Sequence, residues 1–183
     1  MSWEFDFLYL LQRLHTPILD KIMIFITTLG DAGLIWILLA IAFLVTKKYR
    51  KCGLTMAISL FIMVLFGNLI LKNVIMRDRP CWIDTNVLLL IKNPHDYSFP
   101  SGHTYASITS AIAIWLWHKK EGIFAIFIAI LISFSRLYLF VHFPTDVLMS
   151  CILGVITAWI SYYFVKKYFD VIIKTFLERK KTL

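Results

Sequence analysis

Five apolar runs bounded by charged residues constrain this chain more than any other feature of its sequence: residues 32–46, 53–71, 104–117, 122–140 and 144–165. A bilayer core of roughly 30 Å is crossed by about 20 apolar residues in a helix. Each run therefore reads as a membrane span, the first and third short unless their ends are buried in protein. Composition agrees, with 60% of residues hydrophobic and 16% charged, where soluble domains run near ~50% and ~25%. A soluble globular protein and a disordered chain are both excluded. The net charge of +8 does not indicate a nucleic-acid partner, because so apolar a chain has little solvated face on which to present basic residues. It is read against a membrane.

Residues 3–29 are less simple. Glu4, Asp6, Gln12, Arg13, His15, Pro17, Asp20 and Lys21 interrupt the apolar stretches, a pattern that predicts an amphipathic helix, a break at Thr16-Pro17 and a second short helix over 18–29. The segment is either an interfacial hairpin or a sixth, imperfect span. The expected fold is all-α: one domain over 1–183, an integral membrane helical bundle of five to six transmembrane helices, with an amphipathic N-terminal segment (1–30) ahead of the bundle (31–183). The first residues carry acids rather than the basic run of a cleavable signal peptide, so none is expected. Cys52, Cys81 and Cys151 are widely spaced and read as small packed hydrophobes.

Positive charge is retained on the cytoplasmic side of short loops. Lys47, Lys48, Arg50 and Lys51 join the first two spans, Lys119 and Lys120 the third and fourth, and Lys166, Lys167, Lys174, Arg179, Lys180 and Lys181 follow the fifth, which is twelve of the nineteen basic residues. That end is expected in the cytoplasm, in a protein of the cell's inner (plasma) membrane. The long connection over 77–100 and the chemically distinctive residues fall at the opposite, extracytoplasmic end.

Arg136 lies among apolar residues, where an arginine facing lipid costs about 3 kcal/mol. It faces inward to an anion, pairs with Asp146 or a carbonyl, or snorkels to the interface. Lys72 and Arg79 are seven apart, so a helix continuing past the membrane would project both from one face, with Pro80 ending it. Ser98-Phe-Pro-Ser-Gly-His103 precedes an apolar run, so a helix N-terminus opens there, an anion site to which Gly102 permits close backbone approach. In His142-Phe-Pro-Thr-Asp146 the i, i+4 spacing lets the carboxylate orient one imidazole nitrogen and leave the other as a free lone pair. Each element alone has a plain structural explanation. A metal is disfavoured, because cations rather than acids or thiols accompany the two histidines.

Together, Lys72-x6-Arg79-Pro80, Pro100-Ser-Gly-His103 and Ser135-Arg136-x5-His142-x3-Asp146 (motifs over 72–80, 100–103 and 135–146) resemble the three signature motifs of the type 2 phosphatidic acid phosphatase superfamily. That superfamily includes membrane lipid phosphate phosphatases and vanadium haloperoxidases, and this chain resembles its small bacterial members. The resemblance implies a six-helix bundle in which His142 attacks phosphorus, Asp146 orients and charges it, and His103 protonates the leaving oxygen. It also implies that Lys72, Arg79, Arg136, Ser101 and the amide of Gly102 hold the phosphoryl oxygens, with no metal and no cofactor required. Two histidines in opposite protonation states give a bell-shaped pH profile. Arg77 reads as solvated, and His15, His95 and His118 as structural or solvated.

The expected function is removal of the terminal phosphate of a lipid phosphate or diphosphate (undecaprenyl diphosphate, phosphatidylglycerophosphate or phosphatidate) through a phosphohistidine. The alternative is a transporter or binding protein for an anion or lipid that uses the same cationic pocket. The expected partners are the bilayer and a lipid phosphate substrate; neither the lipid nor the oligomeric state is written in the sequence.

Overall fold

The computed structural model describes residues 2–179 and is helical without strands among them. Lys180 and Lys181, counted above among the cytoplasmic charges, lie outside the described residues. The elements are α1 (Ser2–Gln12), α2 (Pro17–Leu29), α3 (Leu34–Val45), α4 (Arg50–Ile62), a π-helical stretch Met63–Leu71 that continues into α5 (Lys72–Ile75), a short α6 (Pro80–Ile83), α7 (Gly102–Trp117), α8 (Lys119–Tyr138) and α9 (Pro144–Arg179).

Local chemistry sets these boundaries. The Thr16 hydroxyl accepts from the Leu19 amide at 3.3 Å ahead of Pro17 in the first turn of α2, an N-cap with proline where no amide hydrogen is needed. Pro144 opens α9 in the same way, and the Asp146 carboxylate reaches back to the Phe143 amide at 2.9 Å, half of a capping box. Met76 adopts a left-handed conformation (φ 46°) and stops α5. The expected continuous helix through Lys72 and Arg79 is therefore not formed. Arg79 sits in extended backbone, and Pro80 starts a short helix rather than ending a long one.

Four helical stretches are long and apolar enough to cross a membrane, 17–45, 47–83, 119–138 and 144–169. Helix α7, only sixteen residues long, is the central element, with most of its residues buried against α8, α9 and α4. This is how its short run is accommodated. Trp36 donates to Ser107 at 2.9 Å and Trp117 to Thr55 at 2.9 Å, so polar pairs tie the helices together where lipid offers no partner. Outward, Ile41, Phe61, Leu69, Phe127, Ile130 and Ile160 are exposed, an apolar surface suited to lipid.

The N-terminal segment divides: α1 stays at the end of the bundle, while α2 is neither half of a hairpin nor a sixth span but joins the first apolar run. α1 lies across one end of the bundle, where Glu4 meets Arg77 and Thr145, and Gln12 meets the Tyr138 carbonyl. α2 begins at the same end, with Tyr138 donating to Asp20 at 2.6 Å. α3 leads to the opposite end, where Tyr49 contacts Glu121 and His118. α2 and α3 thus make one interrupted span, broken at residues 30–33, where Ala32 (φ 51°) and Gly33 (φ 67°) both take left-handed backbone. The basic connections at 47–51 and 118–121 share one end, and the motif residues gather at the other.

Candidate active site

A cavity of about 370 Å³ opens at the motif end and is lined by Lys72, Arg79, Gly102, His103, Arg136 and His142, with Gly30, Met63, Asn68 and Asp96 on its walls. Five structural elements converge on it. Lys72 comes from α5, Arg79 from the segment after it, Gly102 and His103 from the first turn of α7, Arg136 from the last turn of α8, and His142 from the bend before α9. Helix geometry brings two of these to one height. His103 is fifteen residues before the α7–α8 corner at His118 and Arg136 eighteen after it, rises of about 22 and 27 Å at 1.5 Å per residue.

Arg136 faces inward, 4% exposed. It donates through Nη1 to the Thr27 hydroxyl, while its Nε has no hydrogen-bond partner. A buried guanidinium with an unspent donor in a cavity wall is poised for an anion. Lys72 and Arg79 both contact the Asp96 carboxylate, Arg79 Nη2 at 2.7 Å. Burial pushes Asp96 up, but the hydrogen bonds and charges of Lys72 and Arg79 outweigh it and hold the carboxyl at about 2. These two cations share one oxyanion although no common helix face aligns them.

His142 is buried. Its Nε2 stands 3.0 Å from Arg79 Nη1, and since guanidinium only donates, Nε2 carries the lone pair and Nδ1 the proton. Burial, then the charges of Arg79, Arg136 and Lys72, push this imidazole well below its ordinary 6.5. The contact with Asp146 is looser than the i, i+4 spacing predicts: Nδ1 to Oδ2 is 3.8 Å, too long for a hydrogen bond. Ser98 bridges the gap, with its hydroxyl 3.4 Å from Nδ1 and donating to Asp146 Oδ2 at 2.5 Å. Asp146 Oδ1 accepts from Arg77 Nη1 at 2.6 Å, and Arg77 Nη2 donates to Glu4 at 2.7 Å. Arg77 is thus a buttress and not the solvated residue expected.

Ser101 is the one expected phosphate-holding residue not among the cavity's lining. Its amide donates to Ser150 Oγ at 2.8 Å and its hydroxyl accepts from Thr104 at 3.1 Å. Four residues that sequence reasoning missed complete the site: Asp96, Ser98, Arg77 and Asp31, whose Oδ1 is 2.9 Å from His103 Nε2. His15 and His118 pack on tyrosines away from the cavity. Among the described residues no three His, Cys, Asp or Glu side chains group to hold a metal ion.

A helical membrane bundle that collects two imidazoles, three cations and a helix N-terminus around one cavity belongs to the class of membrane phosphatases. The comparisons name the family. Residues 48–170 match the PAP2 superfamily model, and the chain belongs to that superfamily. It is 35% identical over 150 residues to an undecaprenyl-diphosphatase of Sulfolobus acidocaldarius, covering 79% of this chain and 68% of the relative. It is 30% identical over 169 residues to undecaprenyl-diphosphatase BcrC of Bacillus subtilis, covering 88% and 84%. The crystal structure of a PAP2-type phosphatidylglycerolphosphate phosphatase from Bacillus subtilis matches with a TM-score of 0.74 at 28% identity, over 91% of this chain and 86% of that one. The protein is a phosphoric ester hydrolase of the membrane.

Proposed function

We propose that the protein removes the terminal phosphate of a polyprenyl diphosphate such as undecaprenyl diphosphate, at the extracytoplasmic face of the plasma membrane, through a phosphohistidine on His142. The observation that carries this reading is the lone pair of His142 Nε2 in the cavity that His103, Lys72, Arg79 and Arg136 also line. Phosphoryl transfer asks chiefly for positioning and for neutralising charge on the equatorial oxygens. Three cations and the α7 N-terminus at Gly102 answer that demand. Substrate phosphate displaces Asp96 from Lys72 and Arg79 and draws Arg79 Nη1 off His142, which frees the Nε2 lone pair. Nε2 then bonds to phosphorus as the bond to the lipid-side oxygen breaks, and His103 gives that oxygen its proton. Asp146, acting through Ser98, steadies the positive charge gained by the imidazole. Water next attacks phosphorus, gives its proton to His103, and releases inorganic phosphate with His142 restored.

A diphosphate is favoured over a monophosphate on two grounds. Two of the relatives that match well carry diphosphatase names, beside others named for phosphatidylglycerophosphate. A second cavity of about 350 Å³ also shares Arg136 and Pro94 with the first and is lined by Lys92, Asn93, His95 and Asp31, room for a second phosphate beside Lys92 and Arg136. The test is phosphate release by detergent-purified protein with excess chelator, offered undecaprenyl diphosphate, phosphatidylglycerophosphate and phosphatidate. Chelator-resistant release, fastest from the diphosphate and abolished in His142→Ala, is expected. Release untouched by the substitution refutes the mechanism, and preference for a monophosphate refutes the substrate.

A further inference from the structure

The break at residues 30–33 sits inside an otherwise apolar span, and the amides of Gly30, Gly33 and Leu34 are satisfied within the turn by the Thr27, Gly30 and Asp31 carbonyls. What the break delivers is contact with one imidazole. A Cβ built on Gly30 would lie 2.8 Å from His103 Cδ2, so the backbone is pressed against the ring edge as only glycine permits. The next residue places Asp31 Oδ1 2.9 Å from His103 Nε2, and the two left-handed residues that follow turn the chain into α3. The Asp31 side chain is 62% exposed, so packing does not require a carboxylate there.

We propose that Asp31 is the positioning residue of the general acid: through Nε2 it fixes the orientation of His103 and favours the protonated ring that delivers a proton to the leaving oxygen. This rests on the mechanism above. The groups around His103 make the need plain. Arg136 from α8, Arg79 from the segment after α5 and Lys72 from α5 line the same cavity, and each disfavours a second positive charge on the ring. His142 faces it uncharged. The carboxylates that could offset these cations are engaged: Asp96 on Lys72 and Arg79, Asp146 on Arg77, Ser98 and the Phe143 amide. Asp31 is the carboxylate in contact with His103, and an opposite charge at hydrogen-bond distance favours imidazolium. In the reaction the His103 proton passes to the bridging oxygen as the P–O bond breaks. The ring recovers a proton from the attacking water in the second step.

The test is the pH dependence of kcat/KM for Asp31→Asn and Asp31→Glu beside the native protein. The acid must be protonated to act, so its pKa sets the basic limb. In Asp31→Asn that limb is expected to move down by about one pH unit, with activity below it reduced far less than tenfold, the acidic limb in place, and Asp31→Glu restoring the native limb. Ring-carbon NMR of histidine-labelled protein, assigned with His103→Gln, reads the same shift without turnover. A basic limb and NMR midpoint left in place, or a loss equal at every pH, overturns the inference. If those results accompany a dead His142→Ala, the mechanism stands and only the role of Asp31 falls. If His142→Ala still releases phosphate, the mechanism itself has failed.

Discussion

Asp146 is wholly buried, and its charge is held by contacts from three parts of the chain: Arg77 at 2.6 Å, Ser98 at 2.5 Å and the Phe143 amide at 2.9 Å. Removing the cation from a buried pair costs about 3–5 kcal/mol, mostly from the stranded charge. Without Arg77 the Asp146 carboxylate also loses one of the contacts that hold it towards Ser98 and His142. Arg77→Gln is therefore expected to lower kcat by roughly a hundredfold, near 3 kcal/mol, with KM almost unchanged because Arg77 does not line the cavity. Steady-state kinetics checks the split, and a rise in KM alone would place Arg77 in substrate binding instead. Arg136 was legible in the sequence because charge inside an apolar run is costly and stands out, and the other motif cations and the histidines because their joint spacing resembles the family's three motifs. Arg77, Glu4 and Ser98 were not, since an arginine, a glutamate and a serine in polar surroundings look like solvated residues until the fold joins them. Asp31 left a faint signal: an acid between Gly30 and Gly33 in the midst of an apolar stretch.

At the scale of elements, the five runs read from hydropathy correspond to α3, the α4–α5 stretch, α7, α8 and α9, because burial in lipid and burial against helices demand the same side chains. Conformations without a compositional marker were not readable. Met76 takes a left-handed backbone that glycine would have announced, so an expected helical face for Lys72 and Arg79 gave way to convergence by a turn. The α7–α8 hairpin sets the relative heights of His103 and Arg136, and it closes tightly. A Cβ on Gly122 would stand 2.2 Å from the Trp115 Cα, a backbone atom that cannot swing aside. Gly122→Ala is expected to destabilise the bundle by roughly 1–3 kcal/mol, seen as a lower thermal midpoint in detergent. Activity should fall as well, because α7 and α8 carry separate halves of the site. An unchanged midpoint would mean that the corner is looser than its geometry implies.

For the whole molecule, the separation of charge from chemistry fixes a direction. Tyr49, Glu121 and His118 meet at one end beside Lys47, Lys48, Lys119 and Lys120, while the catalytic cavity lies at the other. Basic residues flanking spans are retained in the cytoplasm, so in the proposed orientation the cavity opens outward and phosphate is released outside the cell. In protein with Cys52, Cys81 and Cys151 replaced, an impermeant thiol reagent is expected to label Asn93→Cys in intact cells, since that residue is exposed in the loop beside the cavity. Lys48→Cys should be labelled only after the membrane is opened. The reverse pattern would turn the bundle over and place phosphate release in the cytoplasm. The residue chemistry around His142 would survive that result, but the lipid presented to it would then have to come from the inner leaflet.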